Sequence, residues 1–456
     1  MAAPIKIKKG LDLRLKGAPK PEVVDAPWRG EITVCPTEFE GVKPRLKVKE
    51  GDPVKRGGLL FGSKRYTSLL FRSPAGGTIR SIVYGKRRSL ERIVIDMADQ
   101  EESETFKTYD PKEVSGLSRD EVLGHLLDTG CHALIKQRPF SRIADPGVKP
   151  KSIFVNGMCT APFQADANVA IRGHEAAFQA GLDALSCLTD GDVHLCLSHD
   201  ADNAAALKDA KNAKVHTFSG PHPSGNTSVH IQSIDPYRLG EVIWTIKATD
   251  LLLIGNLFLQ GEAPTTRIVS VGGPGVVEEG RKYYRVRIGA PLAALLDGKD
   301  AAEEQRILYG DVLSGTQVGP DAVVRFLGDS ITVIPEDRER HFMGWLAPGL
   351  ASFSESRTFL SRWLRPANVW TLGTNEHGGH RAMVLTGLYD KYMPLNILVD
   401  YLVRAVIAHD TDEAIKLGIL ETAPEDFALC ALVCPSKTDL VGIIRKGLDE
   451  IETEGI

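Results

Sequence analysis

The sequence has no long uninterrupted hydrophobic run. Its two best apolar stretches are DLLLIGNLFL at 250–259 and LNILVDYLVRAVIAH at 395–409. A membrane-spanning helix needs about 20 predominantly apolar residues. The first stretch is too short for that, and the second is interrupted by Asp400 and Arg404. The sequence therefore predicts no transmembrane helix, and both stretches are interpreted as buried core or amphipathic helix.

The sequence also lacks an excess of charge of one sign, and it lacks an even number of cysteines that could all form disulfides. The 456 residues include 55 Lys and Arg against 59 Asp and Glu, a net charge of −4, which gives no reason to expect a nucleic-acid partner. Seven scattered cysteines, an odd number, favour free thiols in a reducing, cytoplasmic setting. The sequence contains neither a P-loop motif nor the Gly-x-Ser-x-Gly elbow of many hydrolases.

The pattern of apolar residues and turn signals divides the chain into four parts. Residues 1–100 carry short alternating strands punctuated by turn residues, which is typical of a small β-barrel or sandwich. Residues 101–258 alternate strands and helices, residues 259–335 return to short strands, and residues 336–456 show helical spacing. We therefore predict a multidomain α/β and β protein with a β-grasp-like third part and a small helical fourth part.

The second part gives the firmest fold prediction. Three apolar strands, KSIFVNGM, DVHLCLS and KVHTFSG, are separated by helical segments such as HEAAFQAGLDALSCLTDG. Before them, Ser118 with Glu121 three residues later predicts a capped helix. Strands and helices alternating at this pitch predict a parallel sheet with flanking helices.

A glycine-rich stretch, Gly272-Gly273-Pro274-Gly275, follows a predicted strand. A dinucleotide fingerprint needs its glycines between a strand and a helix whose amides face the pyrophosphate. Here a second strand follows and Pro274 removes one amide donor, so the stretch is interpreted as a hairpin turn. A nucleotide site elsewhere in the α/β part stays open.

Cys430 and Cys434, with Pro435 directly after, form the sharpest local motif. They match the closing half of the bacterial ferredoxin pattern C-x2-C-x2-C-x3-C-P. The two preceding cysteines of that pattern are replaced by Pro424 and Phe427. Since two thiolates cannot complete a four-ligand cluster, we interpret the pair as the remnant of a cluster site, carried on one helix as small apolar residues, and predict no bound metal.

A histidine cluster offers a second candidate site. His377 and His380 are separated by two glycines, and Arg381 follows. The glycines give no rigid ligand spacing, and Glu376 is the one further ligand evident nearby, so zinc is disfavoured. The loop is interpreted either as a contact for a partner or an anionic ligand, or as an ordinary surface loop.

Segments distributed along the whole chain resemble the A subunit of the bacterial sodium-translocating NADH:quinone reductases. The resemblance is carried by IKIKKGLDLRLKGAP, GVKPRLKVKEGDPVKRGGLLF, SPAGGTI, KRRSLERIVI, HGGHRAMVLTGLYDKYMPLNIL, AHDTDEAIKLGILE and EDFALCALVCPSK. EGDPVKRGGLLF and SPAGGTI also resemble the two halves of a biotinyl or lipoyl carrier. Lys64 lies between these halves without the usual surrounding tripeptide, so we expect it to be unmodified.

The family resemblance implies an architecture and a setting. It implies a barrel-sandwich hybrid, a Rossmann-like α/β domain, a soluble-ligand-binding β-grasp (SLBB) domain and a helical C-terminal domain. It also implies a peripheral subunit on the cytoplasmic side of the inner membrane. The complex, completed by the B to F subunits, would oxidise NADH, reduce ubiquinone and export sodium.

In that setting we expect no redox cofactor in this chain, since the flavins and iron–sulfur centres would lie in other subunits. His377, His380 and Arg381 would contact quinone or a partner, most directly a membrane-embedded subunit. The alternative is a free-standing flavin- or nucleotide-binding oxidoreductase built on the α/β part.

Overall fold

The computed structural model describes residues 3–301, 304–338, 344–350, 352–353, 355, 358–364, 369–385 and 387–455. Within these ranges, no helix has the length and apolar character needed to cross a membrane. The predicted fold class, a multidomain arrangement of mixed sheets and helices, is confirmed. In the same ranges, nine short 3-10 turns interrupt the connections, at Pro36–Glu38, Lys86–Arg88, Val114–Gly116, Cys131–Leu134, Glu278–Gly280, Gly344–Leu346, Tyr389–Lys391, Ile419–Glu421 and Pro424–Phe427.

The N-terminal region is built from short strands. They are β1 (Ile5–Lys6), β2 (Val23–Ala26), β3 (Glu31–Val34), β4 (Pro44–Leu46), β5 (Pro53–Val54), β6 (Leu59–Ser63), β7 (Leu70–Arg72), β8 (Gly77–Tyr84) and β9 (Leu90–Met97). Strands β3, β9, β8 and β5 form one sheet, and β4, β6 and β7 form a second. The stacked rings of Phe61 and Phe71, with centroids 4.5 Å apart, belong to the buried core of this region. Lys64 is exposed in the loop between β6 and β7.

The α/β region follows. Its elements are α1 (Arg119–Thr129), β10 (Lys136–Arg138), β11 (Arg142–Ile143), β12 (Ser152–Asn156), α2 (Ala167–Ile171), α3 (Glu175–Ser186), β13 (Val193–Ser198), α4 (Ala205–Lys208), β14 (Lys214–Ser219), α5 (Thr227–Ile234), β15 (Ile243–Lys247) and α6 (Ala248–Gln260). Helix α1 begins with the predicted capping box, in which Ser118 N donates to Glu121 Oε2 at 3.0 Å.

The sheet order of this region is β1-β14-β13-β12-β15-β10-β11. The chain starts at β12 in the centre, moves outward through β13 and β14, and then crosses to the opposite side with β15. All of these strands are parallel, while β10 and β11 form an antiparallel edge. The strand order therefore reverses between β12 and β15, the position at which open α/β sheets form a ligand crevice.

The β-grasp region forms a six-stranded sheet of order β19-β18-β20-β16-β17-β2. Its elements are β16 (Thr266–Gly272), β17 (Tyr283–Arg287), α7 (Leu292–Leu296), β18 (Gln305–Tyr309), β19 (Thr316–Val318) and β20 (Ser330–Pro335). Strands β16 and β17 are antiparallel neighbours, so the interpretation of Gly272–Gly275 as part of a hairpin connection is confirmed. Gly273 has φ +112°, and a Cβ there would lie 2.1 Å from the carbonyl oxygen of Val333.

Strands β1 and β2 pair with the sheets of the α/β and β-grasp regions. Strand β1 pairs with β14 at one edge of the α/β sheet, and β2 pairs with β17 at one edge of the β-grasp sheet. The chain thus ties both later regions together before it enters the N-terminal sandwich.

The C-terminal region is helical. Its helices are α8 (Ser361–Leu364), α9 (Val399–Ile407), α10 (Thr411–Lys416), α11 (Ala428–Val433) and α12 (Leu440–Glu454). Helices α9 to α12 pack against one face of the α/β sheet, because Phe154 and Phe218 of that sheet share a buried cluster with residues of these helices such as Leu448.

Candidate functional site

The histidine loop lies on the surface. His377, His380 and Arg381 are all exposed. His380 Nε2 lies 3.3 Å from the carboxylate of Glu376, and the backbone N–H of Arg381 donates to the carbonyl of Ser436 at 3.0 Å. The structure therefore holds the loop against the turn that follows Cys434, and the three side chains are exposed to solvent.

The two cysteines of the ferredoxin-like motif are buried and reduced. The prediction that both lie on one helix is wrong, because α11 ends at Val433 and Cys434 is extended, with φ −61° and ψ 119°. The cause is Pro435, since proline disfavours helical geometry in the residue before it.

The different surroundings of the two thiols change their ionisation. Burial raises the pKa of the Cys430 thiol to about 12. Burial also opposes ionisation of Cys434, but hydrogen bonds from Tyr389 and Thr438 outweigh it and lower the pKa of that thiol. The hydroxyl of Tyr389 lies 3.0 Å from Cys434 Sγ. Among the described residues, no three His, Cys, Asp or Glu side chains are grouped to hold a metal ion.

The crevice between β12 and β15 is where the structure gathers polar groups that the sequence analysis missed. Asn156 and Lys247 are the last residues of these two strands and are direct neighbours in the sheet. Helix α6 begins immediately after Lys247 and places Thr249 and Asp250 in its first turn.

The β-grasp region places one acidic side chain, that of Asp329, in this crevice. Asp329, which is only 2% exposed, directly precedes β20. Its Oδ1 lies 2.8 Å from the Lys247 ammonium, and its Oδ2 accepts a hydrogen bond of 2.8 Å from the Thr249 hydroxyl. Burial alone would raise the pKa of Asp329, but Lys247 and Arg267 hold it below its usual range.

A second ion pair also joins the α/β and β-grasp regions, but here the β-grasp region supplies the cation and the α/β region supplies the carboxylate. Arg267 of β16 donates through one terminal nitrogen to Asp250 Oδ1 at 3.0 Å, and both side chains are buried. Its other terminal nitrogen donates to the carbonyl of Phe326. Each region thus supplies one cation and one carboxylate to an interdomain ion cluster, which consists of Lys247, Asp250, Arg267 and Asp329.

A cavity adjoins this cluster between α6 and the β-grasp sheet. It measures about 60 Å³. Thr249 and Arg267 line it together with His174, Asn256 and Arg285. One terminal nitrogen of Arg285 lies 3.1 Å from His174 Nε2, and the other donates to Asp25. Two of the lining side chains, Arg267 and Arg285, can only donate hydrogen bonds.

Part of this arrangement can be recognised in the sequence. KATD directly after the apolar strand VIWTI places a lysine at a strand end and polar groups in the first turn of the next helix. No local pattern marks Asp329, because its role depends on a contact with residues 80 or more positions earlier in the chain.

Family models match three stretches of the chain. Residues 5–98 match the NqrA N-terminal barrel-sandwich hybrid domain, residues 117–263 the NqrA second alpha/beta domain, and residues 268–319 the NQRA C-terminal domain, a model designated SLBB. The chain is similar to the Na(+)-translocating NADH-quinone reductase A subunit of Yersinia pseudotuberculosis serotype O:1b, with 40% identity over 99% of this chain and 100% of that one. The same-named protein of Histophilus somni strain 129Pt is 39% identical, again over 99% of this chain and 100% of that one. A solved structure, "Crystal structure of NAD+-reducing [NiFe]-hydrogenase in the air-oxidized state", matches with TM-score 0.36, 12% identity, and coverage of 50% of this chain and 51% of that one.

Proposed function

The chain belongs to the A-subunit family of the Na(+)-translocating NADH-quinone reductases, and on that basis we propose how it works within such a complex. It is a peripheral subunit of the enzyme that couples electron transfer from NADH to ubiquinone with sodium export. It carries no redox centre of its own, and it docks on a membrane-embedded partner through its C-terminal region, on the cytoplasmic side of the inner membrane.

The observation that carries the docking proposal is the distribution of exposed apolar side chains. Eleven of the fifteen large hydrophobic residues that are exposed in the described part of the chain lie between positions 346 and 407. They are Leu346, Leu350, Leu360, Trp363, Leu364, Val369, Val384, Leu385, Leu398, Tyr401 and Ile407. Concentrated apolar exposure is typical of a surface that is covered by a protein or membrane partner.

The histidine loop belongs to the same part of the chain. His377, His380 and Arg381 lie between the exposed Val369 and Val384 in sequence. Basic and hydrogen-bonding groups beside apolar ones suit the polar rim of a docking surface. They also suit a hydrogen bond to a quinone carbonyl, and we propose partner or quinone contact as the role of this loop.

Two observations support the proposal that the redox cofactors lie in other subunits. The crevice at which this fold usually binds a nucleotide contains the carboxylate of Asp329. Cys430 and Cys434 are packed among apolar side chains of the helical region. Under this proposal the flavins and iron–sulfur centres are held by the remaining B to F subunits.

A pair of matched substitutions tests the docking surface. Leu364 and Leu239 are each 64% exposed, but Leu239 lies far from the apolar C-terminal set in sequence. We expect Leu364→Glu to abolish or strongly reduce co-purification with the membrane-embedded subunits in mild detergent, while Leu239→Glu leaves it unchanged. Equal recovery of the complex with both variants would contradict docking through this surface.

A second experiment tests the loop. The triple variant His377→Ala/His380→Ala/Arg381→Ala removes exposed groups only, so the thermal unfolding temperature of the chain should not change. Loss of assembly assigns the loop to a partner, and a raised KM for ubiquinone in an intact complex assigns it to quinone. Normal assembly together with normal quinone kinetics would leave it an ordinary surface loop.

A further inference from the structure

Asp329 occupies its position in the manner of a bound anion. Its two carboxylate oxygens are engaged separately, one by the Lys247 ammonium and one by the Thr249 hydroxyl. The backbone carbonyl of Asp329 accepts from the N–H of Ser270 at 2.9 Å, which fixes the acid to β16. The carboxylate is therefore delivered by one region and bound by the other.

The donors that hold Asp329 are the kind that bind phosphate groups. Lys247 is the last residue of β15, next to the position at which the strand order reverses. Thr249 lies in the first turn of α6, a helix of 13 residues. In open α/β sheets, anionic groups of ligands bind at this edge and at the N-terminus of the following helix. The lysine and the hydroxyl retain that chemistry, and the chain itself provides the negative charge.

The space beside Thr249 and Asp329 provides a second observation. Thr249 and Arg267 both line the adjoining cavity of about 60 Å³, which has space for a few water molecules. Arg267 is 4% exposed, and its buried Nε finds no hydrogen-bond partner within the part of the chain that the structure describes. A buried donor of this kind can still bind a further acceptor.

We propose that Asp329 is an internal plug that occupies an oxyanion site formed by Lys247 and Thr249, and that removal of its carboxylate opens this site to a phosphate-class anion. In the native chain the site thus serves as a clasp between the α/β and β-grasp regions and repels external anions. This inference does not depend on the docking surface proposed above.

The test compares inorganic phosphate binding to the full-length chain before and after removal of the plug. We expect no phosphate-specific rise in unfolding temperature for the native chain, relative to sodium chloride of equal ionic strength. Asp329→Ala should show such a rise, with phosphate affinity at least about tenfold above that of the native chain in titration calorimetry, which corresponds to about 1.4 kcal/mol. Adding Lys247→Met to Asp329→Ala should abolish the gain.

A control removes a comparable acid elsewhere on the β-grasp region. Glu336 is 14% exposed and pairs with Arg306 at 2.7 Å, outside the crevice. Glu336→Ala should gain no phosphate affinity. A gain as large as that of Asp329→Ala would show that any unpaired cation suffices, which would overturn the proposal.

Two further outcomes would also overturn it. One is a folded Asp329→Ala or Asp329→Ser chain that binds phosphate no better than the native chain. The other is Lys247-dependent phosphate binding by the native chain, since the plug would then not exclude anions. If neither variant folds in chloride, refolding is repeated in phosphate: recovery there alone supports the proposal, and failure in both salts counts against it.

Discussion

The pair formed by Arg267 and Asp250 provides a quantitative test of the interdomain ion cluster. Arg267 is 4% exposed and Asp250 is 6% exposed, and their charged atoms lie 3.0 Å apart. Removing one partner of a buried pair leaves an uncompensated charge and costs about 3–5 kcal/mol. We therefore expect Asp250→Ala and Arg267→Met each to lower the free energy of unfolding by about that amount.

The double variant is the informative member of the series. Removing both partners leaves neither charge stranded, so Asp250→Ala/Arg267→Met should cost no more than the larger single change. The non-additivity in this double-mutant cycle should then reach about 3 kcal/mol. The matched control is the pair of Arg285 and Asp25, which has a similar distance of 2.9 Å but side chains that are 41% and 72% exposed. Its coupling should be about 0.2–1 kcal/mol.

Urea titrations followed by far-UV circular dichroism and by tryptophan fluorescence provide the free energies. Trp244, fully buried on the strand that leads into α6, is one of five tryptophans in the chain, and its fluorescence reports the loss of buried structure. Coincident transitions are required before the values are compared, because a chain with several regions can unfold in steps. Additive single-variant effects, or a coupling no larger than in the exposed control, would refute the reasoning.

Three other predictions concern separate features. Burial raises the pKa of Glu38 to about 7, so the folded chain binds this proton more tightly than the unfolded chain does. The free energy of unfolding should therefore fall as the pH rises from about 4.5 to 7. In thermal unfolding measured against pH, Glu38→Gln should flatten that fall. Ser118→Ala removes the capping box of α1 and should cost about 1 kcal/mol in urea unfolding, with Ser89→Ala, at an exposed turn, within about 0.5 kcal/mol of the native chain. Gly273→Ala combines an unfavourable φ with a clash against the carbonyl of Val333, so it should lower the unfolding temperature, whereas Gly379→Ala, where nothing lies within 4 Å, should not.

Local patterns in the sequence predict the elements of this fold well. The capped start of α1, the parallel strands β12, β13 and β14 and the hairpin after Gly272 each follow from residues close together in the chain. The apolar run of a buried parallel strand and the chemistry of a cap are short-range properties, which explains this success. The position of Cys434 outside α11 was predictable as well, since Pro435 stands next to it.

Pairings between distant segments are not marked by any short-range pattern. Strand β1 joins β14 across more than 200 residues, and Asp329 reaches Lys247 from another region. An aspartate before a strand is indistinguishable in sequence from any loop acid until the partner is known. The crevice could therefore be expected from the alternation of strands and helices, whereas its internal occupant could not.

The same contacts bear on how the protein can act in a complex. A clasp of two opposed ion pairs and the shared strand edges of β1 and β2 hold the α/β and β-grasp regions together. On the opposite face of the α/β sheet, Phe154 and Phe218 pack into the core of the C-terminal helices. Packed cores resist continuous deformation, so we expect a partner bound at the exposed apolar residues to meet a rigid body instead of a hinge.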